Sequence, residues 1–300
     1  MQKLSFPYHY ETEYDRWECA CLRDTDGEGR ALFRDLQTLG AYQHGKLIGF
    51  LQYGQSAFGF DENGAITPDI SYAIIRNFYY DEGREDAGRE LLHEALRRMA
   101  AFCQPDVYAF FHYFGMSCYA RHGKLFQGFR HIKKLLECSG FCIEHENVFY
   151  TCKLDADALA DTAVQCHWQG MTPFGQQHCD FRLDGQCVGG CELHFLECPG
   201  MAYLRWFYTA DEFRGKGIGS SCMAALKSEL LKRGIRRLDT DTAVSNRVAQ
   251  HFYEKNHFVH EGSTQSYIKR AIDGGSSGKP RAECGRDGAR NEDRLKENEK

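Results

Sequence analysis

The apolar positions of this chain alternate between strand-like and helix-like runs, most plainly in its second half. Residues 202–209, Ala-Tyr-Leu-Arg-Trp-Phe-Tyr-Thr, are dense in aromatic and β-favouring side chains and predict a strand, whereas residues 223–231 repeat apolar positions at helical spacing. Residues 235–243 alternate like a further strand, and residues 246–258 read as a helix with its C-terminal turn. Upstream, residues 179–183 and 187–195 flank Asp184-Gly185, a two-residue turn signal, and predict a hairpin. The aromatic run 108–114, Tyr-Ala-Phe-Phe-His-Tyr-Phe, predicts a core strand with its exit loop. With Arg121, His122 and Lys124 nearby, its functional alternative is an acceptor-lining or stacking surface. From Gly274 onward almost nothing is apolar, which predicts a disordered tail over 273–300.

Between the strand 202–209 and the helix 223–231 stands Asp211-Glu212-Phe213-Arg214-Gly215-Lys216-Gly217-Ile218-Gly219-Ser220-Ser221. A helix start exposes unpaired N–H groups and the positive end of the macrodipole, and glycines let a phosphate group come close, so this segment is a candidate anion cradle. A P-loop is excluded because Lys216 is followed by Gly217 rather than Ser or Thr. A dinucleotide fingerprint fits poorly, since Gly215, Gly217 and Gly219 are spaced two apart and the strands before them form a meander.

The order Arg214-x-x-Gly217-x-Gly219 after an aromatic strand resembles the acyl-CoA pyrophosphate loop of the GNAT N-acetyltransferases. Asn246-x-x-Ala249-x-x-Phe252-Tyr253-Glu254-Lys255-x-x-Phe258 resembles that family's second signature, with His257 where glycine is usual. His257 is therefore expected in left-handed geometry, at some cost in stability and none to the chemistry. The resemblance implies an α/β (α+β) fold of two GNAT-like domains, each a mixed, largely antiparallel central sheet flanked by helices. Their expected extents are 1–153 for a degenerate copy and 154–272 for the catalytic one.

The two halves echo one another. Gly45, Ile48 and Gly49 fall on Gly185, Val188 and Gly189; residues 81–84 line up with 211–214, Ala95 with Ala225, and residues 136–141 with 253–258. In this alignment Glu85, Asp86, Ala87 and Arg89 stand where the second half has Gly215, Lys216, Gly217 and Gly219, and Leu136 stands for Tyr253. Carboxylates at a helix start repel a pyrophosphate, so the first copy is expected to bind no CoA.

Composition narrows the setting. A chain of 300 residues with 42% hydrophobic content has room for two cores, and a net charge of −5 argues against broad nucleic-acid or anionic-membrane binding. No apolar run approaches a membrane span and the N-terminus lacks a signal-like apolar region, so a cytoplasmic protein, monomer or homodimer, is expected. Its 14 cysteines include no CxxC pair, which favours reduced thiols over a disulfide framework. Cys187, Cys191, His194 and Cys198 superficially resemble a zinc site. Strand alternation sets Cys187 and Cys191 on one face and His194 on the other, so no metal is expected.

Direct acyl transfer to an amine needs a polarised thioester carbonyl and a proton donor for the departing thiolate. By resemblance, the backbone from Gly217 to Ser220, through Ile218 and Gly219, holds the pyrophosphate of acetyl-CoA, the co-substrate. Arg214, Gly215 and Lys216 frame the loop or add charge, and a main-chain amide of the strand end Phe207-Tyr208-Thr209 polarises the carbonyl. Asn246 contacts the pantetheine arm or its water shell, and Tyr253 is the general acid. Glu192 is the candidate general base, with His194 as another. The resulting expectation is an N-acetyltransferase acting on a small-molecule or peptide amine; a non-catalytic acyl-CoA sensor or assembly module is the alternative.

Overall fold

The computed structural model describes residues 7, 10–26, 29–155, 162–172, 175–196 and 198–271; the tail expected over 273–300 lies outside them. The chain forms two compact units. Among the described residues, an N-terminal unit comprises Glu18–Ser117, Arg121–Glu146 and residues 263–271, and a C-terminal unit comprises residues 7–17, Cys118–Ala120 and Asn147–Gly262.

The elements run in the order α1 (Tyr14–Leu22), β1 (Phe33–Gln43), β2 (Lys46–Ser56), the short β3 (Gly59–Phe60) and β4 (Ile66–Thr67), β5 (Ala73–Tyr80), α2 (Glu85–Met99) and β6 (Asp106–Ala109). There follow β7 (Leu125–Phe126), α3 (Arg130–Cys138), β8 (Cys142–Lys153), β9 (Gln165–Trp168), β10 (Gln176–Leu183) and β11 (Gln186–Phe195). The last are β12 (Met201–Thr209), α4 (Ile218–Lys232), β13 (Arg237–Ala243), α5 (Arg247–Lys255) and β14 (Val259–Arg270). In the N-terminal unit the sheet order is β1-β2-β5-β6-β14, with only β5 and β6 parallel. In the C-terminal unit it is β9-β10-β11-β12-β13-β8, with only β12 and β13 parallel. Each unit is thus a mixed, largely antiparallel sheet flanked by helices, an α/β fold. Among the described residues no helix is long and apolar enough to cross a membrane.

Local chemistry explains the joints. Asp184 and Gly185 adopt φ of 50° and 80°, the paired positive values of a two-residue hairpin turn, and His44 and Gly45 repeat it at 49° and 77°. Helix α4 buries Cys222, Met223, Leu226 and Leu230 in one stripe against Cys179, Phe181, Cys191, Leu193 and Leu204 of the sheet. Each large side chain so buried contributes about 1.5–3 kcal/mol before entropy is subtracted.

The duplication is visible in hydrogen-bond register, which also corrects the sequence alignment. Gly49 pairs with Tyr80 as Gly189 pairs with Thr209, and Asp81 N–H donates to Ile48 O (2.8 Å) as Ala210 N–H donates to Val188 O (2.9 Å). Asp81 therefore matches Ala210 rather than Asp211. The buried stripe Leu91, Leu92, Ala95 and Met99 matches Cys222, Met223, Leu226 and Leu230, which sets Gly88 on Gly219. The turn between strand and helix is then two residues shorter in the N-terminal unit, and Glu85 and Asp86 occupy the first turn of α2. The C-terminal turns agree with the sequence reading. Phe141 N–H donates to Leu136 O (3.1 Å) as Phe258 N–H donates to Tyr253 O (3.0 Å), with Gly140 at φ 85° and His257 at φ 64°.

Two other expectations change. Strand β6 ends at Ala109, and Phe111 and Phe114, at either end of a single 3₁₀ turn, instead pack with Leu32, Phe58 and Ile74. A bulge leaves Val188 without a partner on β10, which reverses the alternation between Cys187 and Cys191. Cys187 is exposed and Cys191 buried, so these two thiols do not share a face.

Candidate active site

The parallel pairing of β12 with β13 runs from Met201/Arg237 to Leu204/Thr240 and stops. At that point Arg205 is an extra residue on β12, because Glu192 pairs with Trp206 and Leu193 with Leu204. A bulge bends the strand that carries it. Beyond it β12 continues along β11 to Thr209, and β13 continues along β8 to Ala243. The two strands form a fork, and alternate N–H and C=O groups of residues 205–209 line the edge that β13 has left.

At the base of the fork Thr240 Oγ1 donates to Leu204 O at 2.9 Å, and the same hydroxyl meets that of Tyr253. Helix α5 brings Tyr253 there because its apolar face is fixed by ring contacts with Phe252, Phe258 and Tyr150 at 5.7, 5.3 and 5.8 Å. Burial pushes the phenol up to about 12, against a smaller opposing effect of the Thr240 hydrogen bond. Tyr253 therefore holds its proton at neutral pH.

At the mouth of the fork lies the glycine turn. Gly215 and Gly217 take φ of 73° and 83°, the left-handed region that favours glycine. A Cβ at Gly219 would come within 2.9 Å of Thr209 Oγ1 and 3.3 Å of the Phe252 ring, so the helix start seats directly on the end of β12. The N–H groups of Ser220 and Ser221 turn back to Gly217 O, and the turn precedes a helix start whose first amides have no intrahelical acceptor. Arg214 Nε donates to Thr209 O at 3.0 Å while its Nη1 pairs with Asp211 at 2.8 Å; Lys216 is exposed beside it. Outward amides, the positive end of α4 and two cations on the rim suit a pyrophosphate.

The remaining sequence candidates divide. Phe207 points inward against Phe181 (5.3 Å) and Phe252 (5.1 Å), whereas Tyr208 lies outward over Gly190. Ile218 packs against the core, and Ser220 Oγ receives Asn256 Nδ2 at 3.4 Å. Asn246 caps α5, its Oδ1 accepting from Ala249 N–H at 3.1 Å. Glu192 pairs with Arg205 at 2.7 Å and stands beside His178 and Trp206 across the strands, on the face opposite the one that Tyr253 covers. That leaves it paired, and separated by the sheet from the phenol.

The face opposite Tyr253 carries side chains that sequence reasoning did not single out. Strand alternation puts Asp239 and Asp241 there with Tyr203, Asn147 and Phe149. Asp239 is buried and receives Tyr10 Oη–H (2.8 Å), Thr151 Oγ1–H (2.9 Å) and Arg237 Nε–H (2.8 Å), yet burial still raises its pKa. Asp241 Oδ1 accepts from Tyr203 Oη–H at 2.5 Å, and Asn147 Nδ2 donates to its other oxygen. The alternation of 238–241 announces one polar face, but only the register says what meets on it.

Residues 142–258 match the family model described as the acetyltransferase (GNAT) family. Among solved structures, a tandem GNAT protein from the clavulanic acid biosynthesis pathway, without AcCoA, is similar with a TM-score of 0.56 at 14% identity, over 81% of this chain and 84% of that one. A GCN5-related glucosamine N-acetyltransferase region of a fungal multi-domain GH3 β-N-acetylglucosaminidase gives 0.56 at 11% identity, over 87% of this chain and 35% of that one. These likenesses show a common fold. No curated protein matches the chain in sequence. The matched segment contains the fork, the glycine turn and α5, so the likeness to the acetyltransferase (GNAT) family falls mainly on the C-terminal unit.

Proposed function

We propose that the C-terminal unit transfers an acetyl group from acetyl-CoA to a primary amine of a small molecule or peptide, by direct attack on the thioester. The observation that carries this reading is the conjunction of a forked parallel strand pair, a glycine turn at its mouth and a protonated phenol at its base. Acetyl-CoA supplies the activated acetyl group. Backbone amides from Gly217 to Gly219 hold its pyrophosphate, with Arg214 and Lys216 adding charge, and the free edge of residues 205–209 takes the pantetheine arm. A main-chain N–H near Phe207 or Tyr208 polarises the carbonyl; the amine nitrogen forms the C–N bond and loses a proton to solvent, and Tyr253 Oη–H gives its proton to the sulfur as the C–S bond breaks. Glu192 is a weak choice of base, because its carboxylate is already engaged by the Arg205 guanidinium at 2.7 Å.

The N-terminal unit has the same fork and fills it. Its parallel pairing stops at Ile75/Ala109, beside the bulge residue Arg76. Arg76 turns inward, its Nη2 donating to Asp24 (2.6 Å), its Nε to Phe114 O (2.8 Å) and its Nη1 to Ala20 O (2.8 Å). With that fork occupied and the turn before α2 shortened, only one acyl-CoA site per chain is expected. All cysteines among the described residues are free thiols, which suits a cytoplasmic setting.

Calorimetric titration with acetyl-CoA tests the reading, followed by thiol release over a panel of primary amines. One site per chain with amine-dependent CoA release is the expected result. Absence of binding overturns the proposal, two sites overturn the account of Arg76, and binding without CoA release for any amine favours a sensor.

A further inference from the structure

We propose that Asp241 and Asn147 seat the acceptor as a protonated primary amine, on the face of the fork opposite Tyr253. This rests on the transferase reading above and assigns the acceptor its charge and its contacts on binding; the seated ammonium gives up one proton to solvent before the neutral nitrogen attacks.

Asp241 is the first residue of β13 beyond the fork, next to Thr240, whose hydroxyl meets Tyr253. Strand alternation sends the Asp241 carboxylate to the other face, where Tyr203 Oη–H reaches it from the last paired stretch of β12. A thioester lying in the fork would have the phenol on one side and this carboxylate on the other. Asp239, two residues back, is buried and engaged by Tyr10, Thr151 and Arg237, whereas Asp241 is partly exposed.

Asn147 supplies the independent observation. It is 3% exposed, and its Oδ1 is buried without a hydrogen-bond partner. Its orientation is fixed, since turning the amide over would set oxygen against the Asp241 carboxylate in place of the N–H donor. A buried acceptor left unpaired costs about 1–3 kcal/mol. An amide oxygen beside a carboxylate calls for a cation with at least two N–H donors. A primary ammonium has three; a hydroxyl offers one donor and no charge, and a quaternary ammonium offers charge and no donor. Phe149 and Tyr203, ring centroids 6.5 Å apart, stand on the same face to flank an attached alkyl chain.

The test uses the full chain and n-butylammonium chloride as probe, with tetramethylammonium chloride at matched ionic strength as control. Thermal melting of the wild type, Asp241→Asn and Asn147→Ala is followed against concentration, with acetyl-CoA calorimetry on the same samples. The expected result is a saturable rise in Tm with butylammonium and none with tetramethylammonium, with the half-saturating concentration at least tenfold higher in both variants. Acetyl-CoA binding by the variants shows that they are folded; should Asp241→Asn fail that check, Asn147→Ala decides. The seat is overturned if butylammonium gives no saturable shift, acts equally on wild type and variants, or acts no better than tetramethylammonium. Acetyl-CoA binding with no butylammonium effect removes the seat and leaves the transferase reading. A butylammonium effect without acetyl-CoA binding does the reverse.

Discussion

Tyr253 and Leu136 occupy the same place in two copies of one helix turn, and they differ in the single group that can donate a proton. The Tyr253 hydroxyl adds no packing that phenylalanine would lack, and its partner Thr240 keeps Leu204 O as an acceptor after its removal. Replacing Tyr253 by Phe is therefore expected to lower amine-dependent CoA release by roughly 10- to 10⁴-fold, as for loss of a general acid, with the acetyl-CoA Kd unchanged by calorimetry. Loss of affinity in proportion to turnover would assign Tyr253 to binding instead. Tyr253 is legible in the sequence because its neighbours Phe252, Glu254, Lys255 and Phe258 form a continuous frame. Asp241 is not, because its partners Tyr203 and Asn147 lie 38 and 94 residues away and meet it only through strand register.

Among elements, the two forks show how one device serves opposite ends. Each begins at a bulge whose extra residue is arginine, Arg76 in β5 and Arg205 in β12. Arg76 is buried among carbonyls, while Arg205 stays at the surface with Glu192. The hairpin turns and the glycine turn are readable as short contiguous signals, but a bulge is a mismatch between distant strands and leaves no local mark. The same holds for the shortened turn before α2, which the sequence alignment misplaced by one position. His257 is an element-level defect that could be read directly, since a side chain stands at φ 64° where its counterpart is Gly140. His257→Gly should stabilise the protein by about 0.5–1 kcal/mol, seen as a higher denaturant midpoint at unchanged m-value. An unchanged or lower midpoint would mean that the imidazole makes a compensating contact.

For the whole molecule, buried phenols set the alkaline limit. Tyr10 and Tyr203 are raised well above their ordinary value, chiefly by burial, and Tyr80, Tyr150 and Tyr253 are each pushed up to about 12. Each holds its proton more tightly folded than unfolded. Their contribution is complete below about pH 10 and is lost as pH rises through the folded values; for Tyr253 two units correspond to about 3 kcal/mol. Tyrosinate absorbance and loss of near-ultraviolet dichroism should therefore rise together above pH 10 in one cooperative step. Independent ionisation of these tyrosines in a still-folded protein would contradict the burial argument.

The N-terminal unit draws strand residues from the far end of the chain, for β6 pairs with Tyr267–Arg270 of β14. During synthesis, the edge of β6 has to wait for some 160 further residues before its partner exists. An open parallel-sheet edge held for that interval is a template for mispairing with other nascent chains. Ribosome-bound intermediates of this protein should accordingly depend on chaperones until β14 emerges, and stop codons within β14, before Tyr267, should damage the N-terminal unit although it was synthesised first.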